Sequence, residues 1–592
     1  MNEPKSFYEA QITRLQSILA KEKRILTQIS LLRLFVFVIT FVLLYFFSDS
    51  TVGLWTILIL GASLFLFLLR WHVDKKELYE LHKELKRINE DELKILNKDY
   101  LERYAGEEFE VPTHFYSSDI DLFGKGSFFQ YVNRTGLKEG TQHFTQILLS
   151  NSIEGITKRQ KAIRELSSLP EWRQNFTALA CLTKSEIPAN TITKWLKDYH
   201  PFIPDILKRV PQLFGLISVL LFAGAVFELL NFWFLVVWFL VGLGITGVFL
   251  KRSNQLNVKT SKVKDTIQQY ALLLYQIEEQ AFDSELLGEE KNKITAQNEK
   301  ASSIFKHFSK AMDAFDNRNN VLVALLGNGF FLWDVQCAYR IEKWILAYNE
   351  LVGQWFETIA FFDAFNTLGT FAFNHPEFTY PTITADSDSM IQAKSLGHPL
   401  IASENRVASD LEIKNSDFFV VTGANMAGKS TFLRTASLFI VMANTGLPVC
   451  TEQSSYSPIK LITSMRTTDS LTDQSSYFFS ELTRLQFIME QLEKDAYLVI
   501  LDEILKGTNS VDKAQGSKKL IERLVEKGVP GIIATHDLSL CDIAKNLKEV
   551  KNYFFETEIK DDELHFDYQL KKGICQNMNA SFLLKKMKIT EG

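Results

Sequence analysis

The chain has 592 residues, more than one hydrophobic core can organise, so several domains are expected. Lys and Arg total 65 against 70 Asp and Glu, a net charge of −5; this excludes a uniformly basic nucleic-acid-binding surface and confines any DNA contact to a local patch. Five cysteines (Cys181, Cys337, Cys450, Cys541 and Cys575) lack CxxC or metal-ligand spacing, which points to free thiols in a reducing compartment and away from structural zinc.

Residues 1–30 are polar and helix-permissive, with Lys21, Lys23 and Arg24 near their end. Residues 34–47 are then apolar apart from Thr40, Ser48-Asp49-Ser50 makes a short turn, and 52–69 are apolar again before Arg70, His72, Lys75 and Lys76. A second pair of apolar runs covers 213–227 and 232–250, with a break at 228–231 and Lys251-Arg252 closing it. A bilayer crossing takes about 20 apolar residues, with a lower limit near about 17. The second and fourth runs meet this, and the first and third meet it with Arg33 and Gln212 snorkelling to the interface.

Two adjacent pairs with tiny inner turns and basic outer flanks predict two transmembrane hairpins, at 31–48 with 52–70 and at 210–252. Buried core helices are the alternative; a cleaved signal peptide fits less well, because a second apolar run follows at once and no small-residue cleavage site intervenes. The excess of basic residues at the outer flanks predicts a multi-pass inner-membrane protein whose soluble parts face the cytoplasm.

Between the hairpins, Leu78, Leu81, Leu85 and Ile88 recur with helical spacing among charges, so 76–118 reads as an amphipathic helical linker. Residues 119–209 read as helices broken by glycines, with no evident chemistry. After the second hairpin, Val263, Ile267, Tyr270, Leu274 and Ile277 repeat the amphipathic pattern, and 253–395 reads as long helices. Residues 320–395 are aromatic and helical, with Phe362-Asp363-Ala364-Phe365-Asn366 as a buried helix face and Pro381 near the end.

The last domain, 396–592, holds the chemistry. The run 418–422 is aromatic and β-branched and feeds Gly423-Ala424-Asn425-Met426-Ala427-Gly428-Lys429-Ser430-Thr431, with the G-x-x-x-x-G-K-S spacing of a phosphate-binding loop. Backbone amides must crowd the phosphate oxygens, so glycine is needed where a Cβ would intrude, and the helix that follows favours anions at its start. Lys429 is expected to reach the β- and γ-phosphates and Ser430 to hold Mg²⁺. Residues 497–501 form a buried strand ending in Asp502 and Glu503, placed to hold Mg²⁺ and to orient or deprotonate the attacking water. A further strand at 531–534 ends in Thr535-His536, and His536 is expected to sense or polarise the γ-phosphate region.

The loop Gly423–Thr431 resembles the G-P-N-M-x-G-K-S-T loop of the MutS family of DNA mismatch-repair ATPases, with Ala424 in place of proline. Ala534-Thr535-His536, Gly507-Thr508-Asn509-Ser510 with Lys506 at an arginine position, and the segment 471–481 resemble other motifs of that family, and 119–200 is similar to the start of its helical core. The resemblance runs from about residue 119 to the end and implies an ABC-type α/β P-loop ATPase behind a helical core and lever region. It implies ATP and Mg²⁺ as cofactors and a homodimer formed through the ATPase domains, in which Ser476, or equally Ser475, reaches the nucleotide of the opposite subunit. It also implies double-stranded DNA as a ligand.

Leu396-Gly397-His398-Pro399 resembles the family's R-H-P motif with glycine for arginine, and Arg406 takes the place of an aromatic that stacks on adenine. Phe7-Tyr8-Glu9 matches the spacing of the family's F-x-E mismatch wedge, but an apolar hairpin follows it, so the match reads as coincidence and the N-terminal mismatch-recognition domain is expected to be missing. The expected function is a membrane-anchored MutS-family ATPase that couples ATP hydrolysis to dimer and lever motion, binds DNA and is related to mismatch repair. An ABC-type transport ATPase, or a membrane mechano-ATPase without DNA, is the alternative.

Overall fold

The computed structural model describes residues 3–183, 187–295, 299–384, 388–466, 477–560 and 563–576. Its helices are α1 (Pro4–Phe46), α2 (Thr51–Leu96), α3 (Phe128–Val132), α4 (Lys138–Leu149), α5 (Ile156–Ser167), α6 (Pro170–Cys181), α7 (Ala189–Lys197), α8 (Val210–Val226), α9 (Trp233–Glu279), α10 (Glu285–Thr295), α11 (Ala301–Asp316), α12 (Val321–Phe331), α13 (Trp333–Asn374), α14 (Lys429–Thr445), α15 (Tyr477–Leu492) and α16 (Ser510–Glu526). Its strands are β1 (Thr382–Ile383), β2 (Ser389–Leu396), β3 (Ser409–Lys414), β4 (Phe418–Thr422), β5 (Gln453–Tyr456), β6 (Lys460–Ser464), β7 (Tyr497–Asp502), β8 (Gly531–Ala534), β9 (Val550–Lys560) and β10 (Glu563–Lys572). Two compact units interleave along the chain: Met1–Leu93 with Arg134–His143 and Glu171–Asn366, and Lys94–Asn133 with Phe144–Pro170 and Thr367–Gly592.

The first unit is helical. Its long helices break where the sequence expects turns, at 47–50 and 227–232, but they run well past the apolar stretches. The amphipathic segment at 76–96 is the continuation of α2, and that after 252 the continuation of α9. α1, α2 and α9 each hold an 18-residue window apolar enough by length and composition to cross a membrane; α8 is apolar but shorter. Only 11%, 6% and 17% of those three windows is buried, so they are not core helices. Phe7-Tyr8-Glu9 lies inside α1, where Tyr8 is packed away from solvent.

The lower part of α9 buries Val263, Ile267, Tyr270, Leu274 and Ile277, the stripe its helical spacing predicts. In the linker, Leu85 packs with Leu15 and Ala178 beside Leu81 and Ile88, whereas Leu78 departs from the expected seam and stays in contact with solvent. Aromatic rings fill the interior: Phe308 stacks on Trp344 at 3.7 Å, and Phe305 meets Trp355 edge-on.

Two buried carboxylates in this unit accept from backbone amides. Asp363 accepts from the amides of Gly136 (3.1 Å) and Leu137 (2.9 Å) at the start of α4, satisfying donors that a helix N-terminus leaves open. Glu342 accepts from the Tyr199 hydroxyl and the amides of Phe202 and Ile203.

The second unit carries two sheets. The larger has the order β10-β9-β4-β8-β7-β6; β9, β4, β8, β7 and β6 are parallel and β10 is antiparallel to β9. Strands β4 and β8 are buried on both faces, which is why 418–422 and 531–534 read as unbroken apolar runs. The smaller sheet has the order β1-β5-β2-β3. The whole is a mostly helical N-terminal region followed by mixed α/β sheets.

Burial holds the Asp363 carboxyl up to about 7. The folded protein then keeps a proton that the unfolded chain releases near about pH 4, so folded stability falls as pH rises from about 4 to about 7. The Asp363→Asn protein, neutral throughout, should lose most of this slope when thermal unfolding is followed across that window in detergent.

Candidate functional site

Strand β4 ends at Thr422 in the centre of the larger sheet, and the chain turns through 423–428 into α14. Gly428 caps that helix with φ +103°, and a Cβ there would sit 3.2 Å from the Tyr568 ring. Met426 also has positive φ (+66°) and points into solvent at the tip of the loop. α14 stops at Gly446, as its glycine and following proline predict.

The ends of β4, β7 and β8 bring the expected groups together. Lys429 is buried, with its Nζ donating to the carbonyls of Gly423 and Ala424, both at 2.9 Å, and lying 3.4 Å from His536 Nε2. Burial pulls the Lys429 ammonium below its ordinary range, while the charges of Glu503 and Asp502 oppose that shift. Ser430 Oγ donates to Asp502 Oδ2 at 2.6 Å. Burial raises the Asp502 carboxyl, and the Ser430 bond works in the opposite direction.

Glu503 meets His536 Nε2 at 2.6 Å, and this hydrogen bond holds its carboxyl down to about 2. Lys506 Nζ stands 3.8 Å from the other Glu503 oxygen. Glu503 and Leu505 both have positive φ, and Glu481 Oε1 and Oε2 fix the turn by accepting from the amides of Leu505 and Lys506. Glu481 is the last residue of the 471–481 segment; Ser475 and Ser476 lie outside the described residues.

Two adjoining cavities flank these groups. One of about 410 Å³ is lined by Asn425, Met426, Lys429, Ser430, Asp502 and Glu503, among others. The second, about 190 Å³, has largely apolar walls from Leu396, Val407, Phe432 and Phe555 with His398 and Asn405 at its rim; Gly428, Thr431 and Tyr568 line both. Ser430 Oγ and the Asp502 carboxylate are hard oxygen donors side by side, a set suited to Mg²⁺ completed by water and phosphate oxygens. The larger cavity is polar and cationic at Lys429 and Lys506, which suits a polyphosphate; the smaller suits a flat heterocycle.

Arg406 does not stand where the sequence expects it. It donates to Cys450 Sγ and covers the Phe378 ring, turned away from both cavities. Of the aromatics at the smaller cavity, Tyr568 also lines the larger one, and it is held at φ +56° where the β9–β10 register shifts. No motif marks Tyr568, because its position follows from a bulge in a strand pairing that the sequence does not display. His398, uncommitted between turn and function on sequence grounds, lines the smaller cavity, and burial lowers it to about 4, so it is a neutral imidazole there.

Residues 419–589 match the family model of MutS domain V. The DNA mismatch repair protein MutS of Aquifex pyrophilus is 35% identical over 184 residues, 30% of this chain and 21% of that protein. The DNA mismatch repair protein MutS of Methanococcoides burtonii is 34% identical over 198 residues, covering 32% and 22%. Human MutS protein homolog 4 is 31% identical over 193 residues, covering 31% and 20%. The match therefore spans about a fifth of these relatives. The similarity to the MutS family lies in this C-terminal domain.

Proposed function

We propose that this protein is a membrane-anchored ATPase of the MutS family, using 423–431 as a phosphate-binding loop. The observation that carries the reading is the meeting of Lys429, Ser430, Asp502 and Glu503 on one cavity, with His536 in contact with Lys429 and Glu503. Lys429 pairs with the β- and γ-phosphates, exchanging its contacts with Gly423 and Ala424 for phosphate oxygens. Ser430 and Asp502 hold Mg²⁺, which neutralises charge on the phosphates. Glu503 orients the attacking water and takes its proton. With its pKa held near 2 by His536, Glu503 becomes an effective base once that imidazole turns to the γ-phosphate. The adenine lies in the smaller cavity against Tyr568, with His398 and Asn405 at its edge.

The apolar outer faces of α1, α2, α8 and α9 support a second part of the proposal, anchoring in the inner membrane with the ATPase domain in the cytoplasm. Phe35, Phe41, Phe67, Leu220 and Trp233 each expose about three-fifths or more of their surface, and no aqueous role accounts for such a band. The relatives' names, DNA mismatch repair protein, support DNA as a ligand, and the resemblance of 471–481 to the family motif is what suggests a homodimer. Because the band lies in the region that those relatives do not match, the membrane and DNA roles are tested separately.

Glu503→Gln should retain nucleotide binding in an equilibrium titration while turnover drops by about 10²–10⁴-fold, the usual contribution of a general base; unchanged turnover would remove Glu503 from the mechanism. Tyr568→Ala should weaken ATP binding about ten-fold and leave inorganic triphosphate binding unchanged, since stacking on a base is worth on the order of 1–3 kcal/mol. For anchoring, the full chain should stay with membranes through carbonate and high-salt washes and come out with detergent; release by carbonate would reject it. Turnover in detergent, with and without duplex DNA, reads the DNA role: stimulation supports it and indifference favours a mechano-ATPase without DNA.

A further inference from the structure

Residues 320–395 read in the sequence as one helical stretch, but the structure breaks it at Leu332. α12 and α13 meet there at 86°, with Leu332 buried at φ +49°. α12 carries no charged side chain, and Val321, Leu322, Leu325 and Leu326 turn outward, 77%, 68%, 47% and 51% exposed.

Two observations say how such a segment is placed. The first is its flanks. Arg318 and Asp334, the nearest charges on either side of α12, form a buried ion pair at 2.7 Å, and Trp333 Nε1 donates to the Ala314 carbonyl at 3.0 Å. A segment crossing about 30 Å of hydrocarbon cannot have its two flanks in contact. The chain therefore goes in and comes back on one side, and eleven helical residues reach about 16 Å, half the hydrocarbon depth.

The second is the packing of the tip. A Cβ on Gly242 of α9 would lie 2.2 Å from the Gly329 carbonyl oxygen, so the two backbones approach as closely as small residues allow. Phe330 packs on Phe239, and its carbonyl accepts from Ser218 Oγ of α8 at 2.6 Å; Ser218 in turn accepts from Trp238 Nε1 at 2.8 Å. Ser218, Phe239 and Gly242 all lie within the apolar runs of α8 and α9. The amide of Asp334 donates to Asn328 Oδ1, and that of Gln336 to the Leu332 carbonyl. Irregular backbone at membrane depth persists where its polar groups are satisfied inside the protein, as the Phe330 and Leu332 carbonyls and the Asp334 amide are at this bend.

We propose that residues 319–333 form a re-entrant membrane segment: α12 dips from the cytoplasmic face to mid-depth beside the α8–α9 hairpin and presents Leu322, Leu325 and Leu326 to lipid acyl chains. The proposal rests on the reading of α8 and α9 as a membrane hairpin, so its test carries a control on that hairpin. Single cysteines at Leu325, at Leu220 on α8, and at Asn319 and Arg340 flanking the loop are made in the full chain; the five native cysteines are buried or half-buried, and the unsubstituted protein gives the background.

In liposomes, nitroxides at Leu220 and Leu325 should both relax with dissolved oxygen and be shielded from a water-soluble nickel chelate. An impermeant maleimide should label Asn319→Cys and Arg340→Cys from the cytoplasmic side alone. A Leu325 label open to nickel while Leu220 is shielded overturns the re-entrant segment and leaves the hairpin standing. Labelling of the two flanks from opposite sides overturns it in favour of a crossing span. A Leu220 label open to nickel overturns the hairpin itself, and the inference with it.

Discussion

An ammonium group almost wholly withdrawn from water sits at the carboxyl edge of the larger sheet, and the surrounding chain is arranged to make that tolerable. Lys429 is held by two carbonyls of its own loop, and two carboxylates at the end of β7 oppose the loss of its charge. This requires β4 and β7 to be parallel, separated by β8, and cut off at the same height, which the registers of Val421 with Ala534 and of Asp502 with Ala534 provide. The positive φ of Glu503 and the grip of Glu481 on the next turn then follow, because the chain must leave the strand end without covering the cavity.

Much of this edge is legible in the sequence, and the reason is local. The loop 423–431 is contiguous, its glycines answer to backbone conformation, and two-sided burial writes itself into 418–422 and 497–501 as unbroken apolar runs. What depends on strand register or distant packing is not legible. Tyr568 reaches the cavity through a bulge; Arg406 is drawn away by Cys450 and Phe378; Asp363 serves amides more than two hundred residues earlier in the chain. The α12 segment escapes a hydropathy reading because it is too short for a span and is fused in sequence to an aromatic helix. Its nature shows in the closed ion pair between its flanks and in its packing on α8 and α9.

The two units differ in what they expose. The family match begins at residue 419, inside β4, and covers the site built around Lys429. The helices with outward-facing Leu, Phe and Val lie before it, and there large side chains are kept out of the core, in contrast to the aromatic interior around Phe308 and Trp344. In that apolar region the buried Ser218 hydroxyl is satisfied by Trp238 and the Phe330 carbonyl, as a polar group among apolar side chains requires.

α9 continues without interruption for 47 residues, about 70 Å at the usual rise, more than twice the thickness of a hydrocarbon layer. Tyr270 near one end is locked among aromatic rings, and Gly242 near the other is the notch against which Gly329 rests. With no proline and no break between them, one continuous helix carries both the Tyr270 packing and the Gly242 notch.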